Sequence, residues 1–195
     1  MEQLTKRQKQ AIETKMKISK TAMELFKHNQ MEDVKVSDIC KEANISVGAF
    51  YHHFSSKEAI IKTAYNSLDE IIISKIKNQD YINATEKTIS IFEEATIILT
   101  DYGYEFVANG YKIMLNNFDE STFSKERSSY VLIASTIEEA IKNREINTNM
   151  SSYEITDILM AAGRGLLFDW CLHKGNYNLT DKMTILVNKI INSLN

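Results

Sequence analysis

The chain has 195 residues, 44% of them hydrophobic, which supports a packed core and excludes a disordered chain. No stretch reaches the roughly 18 uncharged apolar residues needed to cross a membrane, and the opening "MEQLTKRQKQ" has no signal-peptide core, so a cytoplasmic protein is expected. The net charge is only −3 but unevenly placed, with 11 Lys and Arg against 8 Asp and Glu in residues 1–62 and 12 against 18 in residues 63–195, which points to a polyanionic partner at the N-terminal end.

Proline is absent, removing the strongest helix breaker, and the apolar residues recur at three and four rather than at two, so the expected class is all-α. Ala11, Ile12 or Met16, Ile18, Ala22, Leu25 and Phe26 share one side of a first helix over residues 10–26. Lys6, Arg7, Lys9, Lys15, Lys17 and Lys20 make its approach a basic N-terminal arm. Ser37 is the expected N-cap of a short second helix with Ile39, Cys40 and Ala43 inside. "NIS" breaks it, and Val47 to Phe54 forms a third helix of about two turns. Ser55 and Glu58 have the spacing of a capping box and open a fourth helix through Ile60, Ile61, Ala64, Leu68 and Ile72 towards Lys77.

Further helices are expected at 83–101, 104–117 and 124–146. Ser151 and Glu154 form a second capping box, opening a long helix to about His173, and "KGNYNLTD" turns the chain into a last helix ending near Leu194. These two final helices carry a wide apolar face. Ile158, Leu159, Ala162, Leu166 and Trp170 on one and Leu186 and Ile190 on the other are the expected dimer contacts, pairing with a symmetry mate into a four-helix bundle.

Cys40 and Cys171 are far apart and in no Cys-x-x-Cys pattern, so both read as small buried hydrophobes. Adjacent His52 and His53 have the wrong spacing for a helical metal site, and no cofactor is expected. There is no P-loop, no Gly-x-Ser-x-Gly and no Glu-x-x-His pair, so no catalytic constellation supports an enzyme.

The second and third helices with their short break form a helix-turn-helix, in which the second helix of the pair enters the DNA major groove. Within residues 10–60 the segments Ala22-Met23-Glu24-Leu25-Phe26, Val36-Ser37-Asp38-Ile39, Ala43-Asn44-Ile45-Ser46 and Gly48-Ala49-Phe50-Tyr51-His52-His53-Phe54-Ser55-Ser56-Lys57-Glu58 resemble the N-terminal pattern of TetR/AcrR-type transcriptional regulators. One departure is Asn44 where that family usually has Gly, and Asn tolerates the same left-handed backbone.

The resemblance implies a DNA-binding domain over residues 1–56 and a helical ligand-binding and dimerisation domain over 57–195, joined by a helix spanning 57–79. It implies about nine helices and a DNA-facing set of Ser37, Val47, Gly48, Ala49, Tyr51, His52 and Lys57. Lys57 and the free N–H groups beside it would clamp a phosphate. Phe50 and Phe54 are expected in the core, and His53 either inward or outward. The resemblance also implies an inducer cavity, with Tyr102, Tyr104, Phe106, Tyr111, Met114, Phe118, Phe123, Tyr130 and Phe168 as lining candidates for a hydrophobic or flat small molecule. Asp169, four residues before His173, is expected to pair with it on the helix face. The implied function is that of a ligand-responsive repressor, bound as a homodimer to a palindromic operator in double-stranded DNA and released by a small-molecule inducer. A helical interaction module or small-molecule-binding protein without DNA binding is the alternative.

Overall fold

The computed structural model describes residues 5–29, 31–116 and 124–194, and within them it contains nine helices and no strand. They are α1 (Lys6–His28), α2 (Val36–Glu42), α3 (Val47–His53), α4 (Lys57–Lys77), α5 (Ala84–Tyr102), α6 (Tyr104–Asn116), α7 (Ser128–Lys142), α8 (Ser152–Leu172) and α9 (Leu179–Asn192). The chain divides into two compact units that meet between Tyr65 and Asn66. That boundary lies inside α4, whereas the sequence places it ahead of Lys57. The first turns of α4 bury Ile60 and Ile61, and this buried pair belongs to the N-terminal unit.

In the N-terminal unit, α1 starts earlier than its apolar pattern suggests. Thr5 caps it, its hydroxyl accepting from the Gln8 N–H while the Gln8 side chain accepts from the Thr5 N–H. The expected basic arm is therefore helical from Lys6 onward. Ile18, Ala22 and Phe26 of α1, Ile39 and Cys40 of α2, and Phe50 and Phe54 from α3 and its C-cap are buried in this unit.

The second unit is built around α5, which packs against α6, α7 and α9, while α8 packs against the same three helices. Ile91, Phe92 and Leu99 of α5 are buried, as are Ile133 and Ile137 of α7, Ile155 and Leu159 of α8, and Met183, Val187 and Ile191 of α9. A Cβ on Gly163 of α8 would stand 3.5 Å from the Phe92 ring and 3.7 Å from Met183, ordinary contact distances, so this buried position faces side chains of α5 and α9 with room for a methyl. Gly103 alone joins α5 to α6. Its φ of +88° is open to glycine and strained for other residues, which is why so short a turn is available here.

Local capping explains most boundaries. The Ser151–Glu154 box is present at the start of α8. Two expected caps are displaced. At α4 the Ser56 hydroxyl, rather than that of Ser55, accepts the Ala59 N–H at 3.3 Å. At α2 the N-cap is Lys35, whose N–H donates to the Asp38 carboxylate at 3.0 Å, so Ser37 stands in the first turn with its side chain exposed.

Candidate nucleic-acid interface

The turn between α2 and α3 is shaped by backbone alone. The Asn44 N–H donates to the Lys41 carbonyl at 3.1 Å and the Ile45 N–H to the Cys40 carbonyl at 3.0 Å. Asn44 takes the left-handed conformation this requires, with φ +48°. Ser46 then caps α3, its hydroxyl accepting from the Ala49 N–H at 3.1 Å. These bonds fix where α3 begins and which of its sides faces out.

The seven residues of α3 are cleanly divided. Phe50 and, just past the last turn, Phe54 point into the unit with their rings 6.2 Å apart. Val47 is 48% exposed and Tyr51 56% exposed, and Gly48 and His52 are exposed beside them. These four positions follow one another at i, i+1, i+4 and i+5, a single helix face. Ala49 is half-buried on its flank, and Ser37 of α2 is exposed. A Cβ on Gly48 would meet only the Ser46 hydroxyl, at 3.8 Å, so nothing inside the protein demands a glycine there.

His53 is turned partly inward. Burial, the adjacent His52 and the Lys15 ammonium push its imidazole below the ordinary histidine value. The Lys15 ammonium also lies 5.5 Å over the Phe54 ring, which brings an α1 cation to the C-terminal end of α3. Sequence spacing gave no sign of that proximity, because it depends on how α1 crosses α3.

Lys57, the expected phosphate clamp, has its ammonium directed at the backbone of its own unit. Its ammonium donates to the carbonyls of Met31, Glu32 (3.4 Å) and Val34 (2.8 Å). An ammonium has three N–H donors, and three carbonyls of the α1–α2 connection take them.

The aromatic candidates of the second unit fall into separate pairs rather than one group. The Tyr102 and Phe106 rings are 4.7 Å apart, and Phe106 is core. The Tyr111 ring stands edge-on to Phe168 at 5.8 Å, and its hydroxyl donates to the Arg164 carbonyl at 2.7 Å. Burial pushes the Tyr111 hydroxyl well above the usual tyrosine range. The Tyr130 hydroxyl donates to Asp157 at 2.7 Å and its ring stacks on Tyr153. Asp157 and Arg164 are seven residues apart on α8, about 10 Å of helix, so Tyr130 belongs to a different part of the unit from Tyr111. Met114 is half-buried near the end of α6, and Tyr104 bonds to Glu105. Phe118 and Phe123 lie outside the described residues.

The expected dimer set needs correction. Leu159 and Trp170 are 1% and 3% exposed, and the Trp170 indole N–H donates to the Tyr177 carbonyl at 3.1 Å. Both are spent on the interior of their own unit. Ala162, Leu166, Leu186 and Ile190 are half-buried. Of the seven only Ile158 is on an open face, and it is joined along α8 by exposed Ala161, Gly165, Phe168 and Leu172. These five recur at alternating steps of three and four, the spacing of one helix seam. The Asp169 carboxylate lies 3.5 Å from His173, and its shorter bond, 2.8 Å, is accepted from the Tyr177 hydroxyl. Burial and that carboxylate push the Tyr177 hydroxyl up to about 12.

Comparison with known proteins agrees with this geometry. Residues 18–64 match the family model "Bacterial regulatory proteins, tetR family". The HTH-type transcriptional regulator UidR of Escherichia coli K12 is 32% identical over 95 residues, covering 45% of this chain and 47% of UidR. The matched part therefore spans about half the length of that relative. Among solved structures, FadR from Bacillus subtilis in complex with stearoyl-CoA aligns over 92% of this chain and 99% of its own at a TM-score of 0.69 and 17% identity. The FadR of Thermus thermophilus, a TetR-family transcriptional repressor in complex with lauroyl-CoA, aligns over 90% and 92% at a TM-score of 0.60 and 15% identity. At such identities the likeness is one of fold. Residues 18–64 thus match the helix-turn-helix domain of the tetR family of bacterial regulatory proteins, and the chain shares its all-helical fold with these solved structures.

Proposed function

We propose that the protein is a transcriptional repressor that binds a palindromic operator as a homodimer and is released by a small-molecule inducer. The observation that carries this reading is the division of α3, with Phe50 and Phe54 anchoring one side while Val47, Gly48, Tyr51 and His52 stand open on the other. A helix that buries two aromatics and leaves an exposed Tyr-His pair beside a glycine has the parts needed for the major groove. Tyr51 and His52 donate to phosphate or base edges, Val47 and Ala49 meet thymine methyl groups, and Gly48 admits the DNA backbone. Ser37 of α2 and the exposed cations of α1 are suited to the flanking phosphates. Such a protein works in the cytoplasm, where the DNA is, and no helix among the described residues is long and apolar enough to cross a membrane.

A palindrome requires two reading helices, about 34 to 36 Å apart, in successive major grooves. The α8 seam of Ile158, Ala161, Gly165, Phe168 and Leu172 supports a second copy of this chain as its occupant. The seam follows one helix for about four turns, and its small residues allow close approach of a second helix. A ligand shifts such a dimer only through unequal affinity for its DNA-binding and released arrangements. The ligand-bearing structural neighbours hold stearoyl-CoA and lauroyl-CoA, which supports an inducer with apolar bulk for the second unit here. In a fluorescence-anisotropy titration against fragments of the upstream DNA, the reading expects saturable, competitor-resistant binding at two subunits per site. Binding that competitor DNA abolishes on every fragment would overturn it.

A further inference from the structure

Between α1 and α2 the chain crosses residues 31–35 without regular structure, yet everything α2 and α3 present depends on where this connection delivers Val36. Two side chains, Met31 and Val34, are buried as anchors. The third anchor comes from the far side of the helix-turn-helix. Lys57, in the first turn of α4, sends its ammonium back to the carbonyls of Met31, Glu32 and Val34, which are 26, 25 and 23 residues away in sequence.

We propose that Lys57 is a positioning residue of the DNA-reading head, holding the α1–α2 connection by this carbonyl cage and so setting the placement of α2 and α3, and that it makes no phosphate contact of its own. The inference rests on the DNA-reading function proposed above and deepens it. A lysine at the first turn of a helix that follows a reading helix would ordinarily be given to phosphate, as the sequence suggests. Here the geometry assigns it inward. All three N–H donors have carbonyl partners, and turning the ammonium to a phosphate would strip three carbonyls of a charge-assisted partner.

The cage also has a shape that only one side chain satisfies. Three carbonyls converge on a single point, which suits a compact ammonium with tetrahedral donors. A guanidinium spreads its donors in a plane and suits a carboxylate or phosphate. Lys57→Arg therefore separates the two roles, since a phosphate contact tolerates it and a carbonyl cage does not.

The test uses full-length Lys57→Arg, Lys57→Gln and Lys57→Met beside the natural protein, with a duplex that the natural protein enriches from a random-sequence pool. Amide hydrogen exchange is read at residues 31–36 without DNA, and affinity for the duplex is read across a range of salt. All three variants are expected to exchange about tenfold faster at 31–36. Each is also expected to lose about tenfold in affinity while keeping the natural slope of affinity against salt. Arg and Gln keep the readout should Met not fold. The proposal is overturned if Lys57→Arg binds like the natural protein while Gln and Met lose affinity and about one unit of salt slope, the signature of a lost phosphate contact. Unchanged exchange at 31–36 overturns it equally. If the natural protein enriches no duplex, the DNA-reading function fails, and the exchange measurement still decides whether Lys57 holds the connection.

Discussion

The guanidinium of Arg127 forks onto the carboxylate of Asp69, Nη2 to Oδ1 at 2.6 Å and Nε to Oδ2 at 3.1 Å. Asp69 lies in α4 and Arg127 at the N-cap of α7, where the Ser129 N–H also points at the same carboxylate at 3.4 Å. The two side chains are 12% and 28% exposed. The carboxylate thus pairs with a cation and sits at the positive end of a helix at once. Asp69→Ala leaves the Arg127 charge without this partner, and a loss of about 3 kcal/mol is expected from urea unfolding. Replacing both residues by Met and Leu is expected to recover most of that loss. A single variant as stable as the natural protein would show that the pair is not desolvated enough to matter.

On α3 stability and DNA affinity are expected to separate. Tyr51→Ala and His52→Ala remove exposed side chains, so unfolding should change by no more than about 0.5 kcal/mol. Operator affinity should fall by about 1 to 3 kcal/mol for each. Phe50→Ala empties a fully buried site and should cost about 3 to 5 kcal/mol of stability. Gly48→Ala is the sharpest member of the set. The helix has room for the methyl and should gain about 0.5 kcal/mol, while DNA affinity drops because the methyl stands where the DNA backbone approaches. Gly48→Ala binding DNA as tightly as the natural protein would remove that close approach from the account.

Sedimentation tests the dimer seam. Leu172→Glu or Phe168→Glu puts a charge into the proposed seam and should yield a folded monomer, since both side chains are exposed within the single chain. Trp170→Ala should instead lower stability by about 3 kcal/mol or more, because the indole is interior. Dimers that persist in both glutamate variants would move the interface off α8.

Glu145 gives the expected pH dependence. Burial pushes its carboxyl up, but the N–H groups of Thr85 and Ala84, which donate to it at 2.8 and 3.2 Å, outweigh that effect and hold it below the ordinary value. A carboxyl depressed in the folded state stabilises above its unfolded pKa of about 4.3 and loses that contribution as pH falls through the lower folded value. Glu145→Gln should therefore be about 1 kcal/mol less stable than the natural protein at neutral pH. The gap should close below about pH 4. A gap that persists in acid would mean that shape, and not charge, makes this cap.

How much of this was legible in the sequence depended on range. The Ser151–Glu154 box and the Asn44 turn are local, and the structure has both. The Thr5–Gln8 box is local too, but it opens onto polar residues, so apolar periodicity started the first helix too late. On α8 the difficulty was an excess of signal. Leu159 and Trp170 line one side while Ile158, Phe168 and Leu172 line another, and periodicity alone does not say which side its own neighbours cover. The Lys57 cage and the Asp69–Arg127 fork join residues more than 20 and more than 50 positions apart, and no local pattern marks such partners.

Whether two copies of α3 read a symmetric site is decided by letting the purified protein select duplexes from a random-sequence pool and sequencing what it enriches. The expected result is an inverted repeat whose half-site centres lie about 10 base pairs, or a multiple of one helical turn, apart, with enrichment lost in Tyr51→Ala. An asymmetric site, or a pool left unenriched by folded, dimeric protein, would show that they do not.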